Sequence, residues 1–522
     1  MVWGAPLLFG LLGLALGKSA SWDFRNYHWY NPHALLHGRL DMDMAVAHHA
    51  TFYNPLLDVP LYLAARYLPG WLAGFLLATA QGVNFSLLCL LARAVLPIDS
   101  ARHRAAAAVV VALAGMFGAG AYGQLGGCAG DNLASLGILA MLLLLARQWP
   151  RLTAGTVRAA MLTAGAAGLL GGITTGSKLT MAVYVLGFGT VLVLTPGRLH
   201  RRLLLLAAFG LGGAAGFAVT GGPWMLRLWH VTGNPLFPYF NDFFHSPLLS
   251  AASYRDTRFL PQNLQERLLY PLLFSLNSYR VAEFYFRDIH VLLFYVLAPL
   301  ALLATMLRRI RSGEETEDRF HALLFLGALL SYLLWLQLFA IYRYLIVLEM
   351  LSPLLIVLAL HRLISSSRAW LLVSAAVLLA AQLAVSVEMD GQPWQGPFVA
   401  VKVPAISRPA SSMVLMTGYE PMAYVIPSFP PEIPFIRIQG YLAGPGPEEG
   451  DYVKEMRRRV AAFQGDLYVL FHPREEKASR EALAAFGLRL RDGPCAEVSS
   501  NIGPTLRFCG VLAAPAAGRE GS

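Results

Sequence analysis

The chain has 522 residues, of which 56% are hydrophobic and only 14% charged, against roughly 25% charged in an average soluble domain. That deficit excludes an ordinary water-soluble enzyme and makes lipid the main solvent. The net charge of +10 would suggest nucleic acid in a soluble protein. Here the arginines cluster in short gaps between apolar runs, the mark of the cytoplasmic side of a membrane protein, and no nucleic-acid partner is expected.

The first apolar run, 2–18, lacks the charged n-region of a signal peptide, although Lys18-Ser19-Ala20 offers small residues for cleavage. A retained first helix is expected. A spanning helix needs about 20 apolar residues, and further spans are expected near 71–93, 105–123, 132–147, 157–173, 178–195, 202–221, 290–307, 320–341, 344–361 and 369–387, about eleven in all. The gaps sort by charge. Arg93, Arg102 and Arg104, then Arg147, Arg151 and Arg158, then Arg198, Arg201 and Arg202, then Arg308, Arg309 and Arg311, then Arg362 and Arg368 fall in alternate gaps. This places them and the N-terminus in the cytoplasm, and the C-terminal tail outside a plasma membrane of the bacterial inner-membrane type. The stretch 54–68 is apolar but too short to span, and reads as a helix lying in the outer interface.

After residue 387 the pattern changes. Strand-like runs at 398–403, 412–417, 435–439 and 467–471 alternate with polar helices near 451–463 and 474–486, which predicts a small α/β domain. Cys495 and Cys509 flank a turn at Asn501-Ile502-Gly503-Pro504. Outside the cytoplasm a disulfide between them is expected, with two free thiols as the alternative. Cys89 and Cys128 lie in or beside apolar helices and read as small buried residues. The expected fold is therefore an all-α polytopic membrane bundle over 1–387, with outer loops 19–70 and 222–289, followed by a soluble extracytoplasmic α/β domain over 388–522.

The outer gaps carry the chemistry. The first holds Trp22-Asp23-Phe24-Arg25-Asn26-Tyr27-His28, then Asp41 and Asp43, His48 and His49, and Tyr53-Asn54-Pro55-Leu56. Asp23 follows the first span by about five residues and belongs near the membrane surface. In the second gap Asp131 heads the next span, where a simple helix cap is the structural alternative. The third runs Gly171-Gly172-Ile173-Thr174-Thr175-Gly176-Ser177-Lys178. Glycines before a helix start expose backbone N–H groups and Lys178 adds a charge, so this gap is expected to hold a phosphate. It lacks the spacing of a nucleotide loop. The last holds Tyr342-Arg343-Tyr344, an arginine suited to bidentate phosphate contact with aromatic flanks. Basic residues on the outer side run against the topology rule and mark a site by default, snorkelling to headgroups being the alternative.

In this order the features resemble the GT-C superfamily of integral membrane glycosyltransferases, which includes the aminoarabinose transferase of lipid A and the protein O-mannosyltransferases. That superfamily has an acid soon after the first helix, then a Tyr, a Gly and a Tyr-x-x-Pro-Leu segment, matched by Asp23, Tyr27, Gly38 and Tyr53-Asn54-Pro55-Leu56. A second Asp at the head of the fourth helix is matched by Asp131, a Gly-rich stretch ending in a Thr-Lys type pair by Gly172 to Lys178, and a late Arg-Tyr pair by Arg343-Tyr344. The family's common Asp-Glu pair is Asp23-Phe24 here, and its lysine before Pro-Leu is Asn54. The resemblance implies a sugar donor of the polyprenyl-phosphate type, an acceptor hydroxyl on a glycan, lipid or protein, and membrane lipid around both. Asp23 is the expected general base. Lys178 and Arg343 are expected to stabilise the departing phosphate, Asp131 to orient substrate, and Tyr27, Tyr53 and Tyr344 to line the site, with Asp23, Asp131, Lys178 and Arg343 on one cavity. Two cations suffice for a monoester phosphate, so no cofactor is expected. The alternative is a divalent metal on His33 and His37, spaced i,i+4. The competing function is a transporter or flippase of a lipid-linked substrate, which accounts less well for the long aromatic first loop and the C-terminal domain.

Overall fold

In lipid an apolar segment satisfies its backbone groups by coiling on itself, and each of the eleven apolar runs is helical in the computed structural model of the protein. The structure describes residues 3–312, 319–366, 368–389, 391–442, 444 and 450–514, leaving the side chains of residues 309, 311 and 312 aside. The ends of the expected C-terminal domain, 515–522, lie outside the described residues. Gly70–Val95, Val157–Ser177, Leu199–Thr220, His290–Arg308, Arg319–Leu338 and Tyr342–Leu363 are long and apolar enough to cross a membrane, by length and composition. Ala5–Leu16, Leu179–Leu194 and Ala369–Leu383 are shorter apolar helices. The protein is a polytopic helical membrane protein with an α/β domain at its C-terminal end.

Two local expectations are corrected. The run 105–123 is not one span. The helix Ala101–Met116 stops, and Ala119–Gly123 forms a separate short helix. The glycines at 171–176 do not precede a helix start either. Val157–Ser177 is helical throughout and Lys178 is the residue that ends it, so those N–H groups belong to the helix ladder and are not free to bind phosphate. The glycines serve packing. A methyl group at Gly168 would overlap the carbonyl oxygen of Phe209, at Gly172 that of Gly213, and at Gly176 the hydroxyl of Thr220, all on Leu199–Thr220. Spaced every fourth residue, they form the small-residue stripe that lets two membrane helices approach backbone to backbone. The Thr220 hydroxyl donates across this contact to the Ile173 carbonyl at 2.9 Å.

The chain divides into two compact units, one of Met1–Leu16, Phe75–Pro223 and Asp256–Asp390, the other of Gly17–Gly74, Trp224–Arg255 and Gly391–Ser522. The first contains most of the apolar helices. The second is built on a mixed sheet, ordered Val401–Lys402, Ala496–Ser500, Leu506–Ala513, Asp466–Phe471, Ser412–Met416 and Phe435–Arg437, with Leu488–Leu490 also on Leu506–Ala513. Ser412–Met416 runs parallel to both its neighbours and is buried along its whole length, as a strand covered on both faces must be. Helix Asp451–Ala462 buries Val453, Met456 and Val460, one stripe at helical spacing, and exposes its charges. Cys495, just ahead of strand Ala496–Ser500, is disulfide-bonded to Cys509 on the neighbouring strand, with Cα atoms 4.5 Å apart.

The first long loop is part of this second unit. Met44 bridges to Ile436 beside the last strand. Arg39 binds Asp43 through two nitrogens at 2.8 and 2.9 Å and donates at 2.7 Å to the carbonyls of Pro431 and Ile433. Asp43 accepts from the Phe435 N–H at 2.8 Å and the Tyr30 hydroxyl at 2.7 Å.

The glycine stripe yields a prediction. Gly172→Ala forces two helices apart and should lower stability by about 1–3 kcal/mol, the usual range for overpacking. Gly210→Ala, on the same partner helix but with open space at its Cβ position, should leave the melting temperature unchanged or raise it. Thermal unfolding of the two variants in one detergent compares them directly.

Candidate functional site

In the first unit, the chain between Met116 and Asp131 keeps only the short helix Ala119–Gly123 among apolar helices, so its backbone groups need partners. Side chains supply them. Asp288 accepts the N–H of Ala119 at 2.9 Å, and the Glu349 carboxylate accepts those of Gly120 and Ala121, both at 2.8 Å. These are the first-turn donors that a short helix leaves unpaired. A Cβ at Gly118 would overlap the Glu349 carboxylate, which is why glycine stands there. Gln81 takes the Gly126 N–H at 2.7 Å and donates to the Gly127 carbonyl at 2.8 Å. Asn84 donates to the Asn132 carbonyl at 2.6 Å, and Asn132 to that of Ala121 at 3.0 Å.

This segment delivers Asp131 to the start of helix Asp131–Arg147. The carboxylate is fully buried and pairs with Lys178 Nζ at 2.9 Å. Lys178 in turn ends its own helix and donates to the Ala129 carbonyl at 2.5 Å. Each charge sits at the helix end whose dipole favours it. A lysine ammonium has three N–H groups. Among the described residues, the hydrogen bond from this ammonium goes to Ala129, with the Asp131 carboxylate as its ion-pair partner.

Arg343 and Tyr344 lie in the same unit on the turn Tyr342–Leu345. The guanidinium sits 5.1 Å from the Tyr344 ring centre and donates to its hydroxyl at 3.2 Å. The Tyr344 carbonyl accepts from the Tyr184 hydroxyl at 2.5 Å. Burial pushes nearby Asp256 up, but hydrogen bonds from Arg258 and the charges of Arg258 and Arg343 hold it below the usual carboxylate range. Sequence reading passed over Asp288, His290 and Glu349, which are buried in this unit, with His290 Nδ1 3.0 Å from Asp288. The signal was available: a glutamate inside an apolar run is rare enough to be a site by default.

The second unit holds Asp23, Tyr27 and Tyr53. Asp23 is half-buried and immediately precedes a π-helical turn, Phe24–His28, a form that gathers at functional sites. The Tyr27 ring meets Tyr53 edge-on at 5.2 Å, and the Tyr53 and Tyr239 hydroxyls bond to each other. His28 Nδ1 lies 2.8 Å from Asp58. Of the other loop carboxylates, Asp41 is exposed beside Arg227, and Asp43 is committed to Arg39. His33 and His37 stack at 4.2 Å, with His33 Nδ1 on the Tyr62 hydroxyl at 2.8 Å and His37 Nδ1 on the His33 carbonyl at 3.0 Å. Burial, reinforced by the charges of His37, Arg39 and Arg66, holds the His33 imidazole down at about 3, so it is neutral at pH 7. Of the expected site residues, the structure thus joins Asp131 to Lys178, Arg343 to Tyr344 and Tyr27 to Tyr53.

No family model and no curated protein matches the chain. Among solved structures it is similar to the apo form of the Archaeoglobus fulgidus oligosaccharyltransferase, with 13% sequence identity and a TM-score of 0.46, covering 93% of this chain and 70% of that one.

The buried pair makes a prediction. Asp131→Asn strands the Lys178 charge, and breaking a buried pair from one side costs about 3–5 kcal/mol. Adding Lys178→Met removes the stranded charge, so the double variant should melt above Asp131→Asn alone. Additive losses in thermal unfolding would show that the two side chains do not depend on each other.

Proposed function

We propose that the protein is a membrane glycosyltransferase that moves a sugar from a polyprenyl-phosphate donor to an acceptor hydroxyl on the extracytoplasmic side of a bacterial inner membrane, with its N-terminus in the cytoplasm. The observation that carries this reading is the Asp131–Lys178 pair. A lysine at a helix end, paired at 2.9 Å with a fully buried carboxylate, presents an ammonium group that a phosphate oxygen can meet. A structural charge placed to snorkel into headgroups needs no such buried partner.

In this reading the acceptor oxygen attacks the anomeric carbon as its proton passes to the Asp23 carboxylate. The bond from that carbon to the phosphate oxygen breaks, and the electron pair leaves with the polyprenyl phosphate. Lys178, and Arg343 beside Tyr344, stabilise the charge that develops on the leaving phosphate. Tyr27 and Tyr53 shape the approach to the base. The acceptor is a glycan, a lipid or a protein, which the assay separates.

Transfer from a panel of polyprenyl-phosphate sugars, measured in nanodiscs, tests the proposal. Asp23→Asn should lower transfer by about 10²–10⁴-fold, the range for a general base, while donor binding persists. Lys178→Ala should weaken donor binding together with turnover. Transfer within a few-fold of wild type in the Asp23→Asn protein would remove Asp23 as the base. Movement of intact lipid-linked sugar across the bilayer without transfer would establish the transporter reading instead.

A further inference from the structure

Within the second unit, Trp22, Tyr419 and Tyr441 form a row of aromatic rings on the surface, with exposures of 38%, 43% and 57%. The Trp22 and Tyr441 ring centres are 6.4 Å apart, those of Tyr441 and Tyr419 4.9 Å. His48 lies beneath, stacked on Trp22 at 5.9 Å and 5.0 Å from Tyr441.

Buried polar side chains hold the backbone under this row. His48, itself buried and in left-handed backbone geometry at φ 54°, accepts the Tyr441 N–H on Nδ1 at 3.1 Å. Arg437, also buried, donates to the carbonyls of Gly418 at 2.7 Å, Glu420 at 3.3 Å and Val46 at 3.0 Å. Glu475 accepts the N–H of Tyr419 at 2.7 Å. Gly418 has φ +91°, and a Cβ there would overlap Glu475. Exposed rings on loops pinned this firmly form a preorganised surface, since the ordering is complete before a ligand arrives.

We propose that this row is a carbohydrate-binding platform on which a neutral sugar ring lies, adjoining the proposed base. The inference rests on the glycosyltransferase reading. Aromatic faces carry partial negative charge and attract the C–H groups on the apolar face of a pyranose. The carboxylates on and around these loops, Glu420 and Glu475, accept from hydroxyls and repel phosphate, which favours the sugar portion of a substrate over its lipid phosphate. Trp22 directly precedes Asp23, whose Cα is about 3.8 Å further along the chain.

The test is binding of neutral trisaccharides of glucose, galactose, mannose and N-acetylglucosamine to the protein in nanodiscs, read by saturation-transfer NMR. At least one should bind, and lose affinity on the order of tenfold in Tyr419→Ala and Tyr441→Ala, about what one ring contact supplies. Tyr441→Phe, which keeps the ring, should bind as wild type. Absence of binding, or unchanged binding in both alanine variants with wild-type melting temperatures, overturns the platform. So does quenching of the Trp22 emission by brominated lipid, measured against Trp22→Phe, which would make the row a membrane anchor. Trisaccharide binding without transfer from any polyprenyl-phosphate sugar would defeat the glycosyltransferase reading alone. Transfer with unchanged saturation in the alanine variants would defeat the platform alone.

Discussion

A chain that interrupts a helix inside an apolar bundle exposes peptide groups to a medium that cannot hydrogen-bond them, at several kcal/mol for each group left unmet. The architecture of the first unit follows from how residues 117–132 meet that demand. Asp288 and Glu349 take the first-turn N–H groups of Ala119–Gly123, Gln81 takes both polar ends of the Gly126–Gly127 stretch, and Asn84 and Asn132 donate to the carbonyls of Asn132 and Ala121. Because these side chains come from helices distant in sequence, the segment cannot shift without stranding several buried polar groups at once. Asp131 inherits that rigidity, and through it Lys178 is fixed as well.

The second unit solves a different problem with the same means. Its first loop lacks a long hydrophobic stripe of its own and is tied down by charge. Asp43 is buried, and burial pushes its carboxyl upward against the lowering influence of Arg39. Two guanidinium nitrogens, the Phe435 N–H and the Tyr30 hydroxyl together satisfy it. Burial likewise depresses the His48 imidazole, helped by the charges of Arg437 and His49, so the ring is neutral and free to accept the Tyr441 N–H. Charged and neutral polar groups here serve position first.

The helices were legible because hydrophobic length in lipid is a one-dimensional signal, and the strands at 412–416 and 466–471 because short apolar runs lay between polar helices. The break at Phe117-Gly118 was not legible. Its cause is Glu349, more than two hundred residues away and hidden in an apolar run. Gly172 and Gly176 were read as part of a phosphate-holding stretch at 171–178, although with Gly168 they repeat every fourth residue, the spacing of helix packing. Asp131 and Lys178 were both picked out from sequence, but their pairing depends on a fold that brings two helix ends together. Strand Leu506–Ala513 was half visible, as one arm of the turn between the cysteines. The roles of Arg39 and Arg437 were invisible, since nothing local distinguishes an arginine that will be buried from one that will face water.

The second unit is assembled from three stretches of chain, and this orders its synthesis in time. Asp43 and its partner Phe435 are 392 residues apart, and translation at about 5–20 residues per second leaves on the order of 20–80 s between them. For that interval Asp43 and Arg39 have each other but not the strand edge, and Met44 has no partner strand. Trp22 and the loop around His48 likewise wait for Tyr441 to be made. The aromatic row and the π-turn that carries Asp23 thus stand on a scaffold finished only in the last quarter of the chain, so a protein released early would carry its membrane helices and lack the surface on which a sugar is proposed to rest.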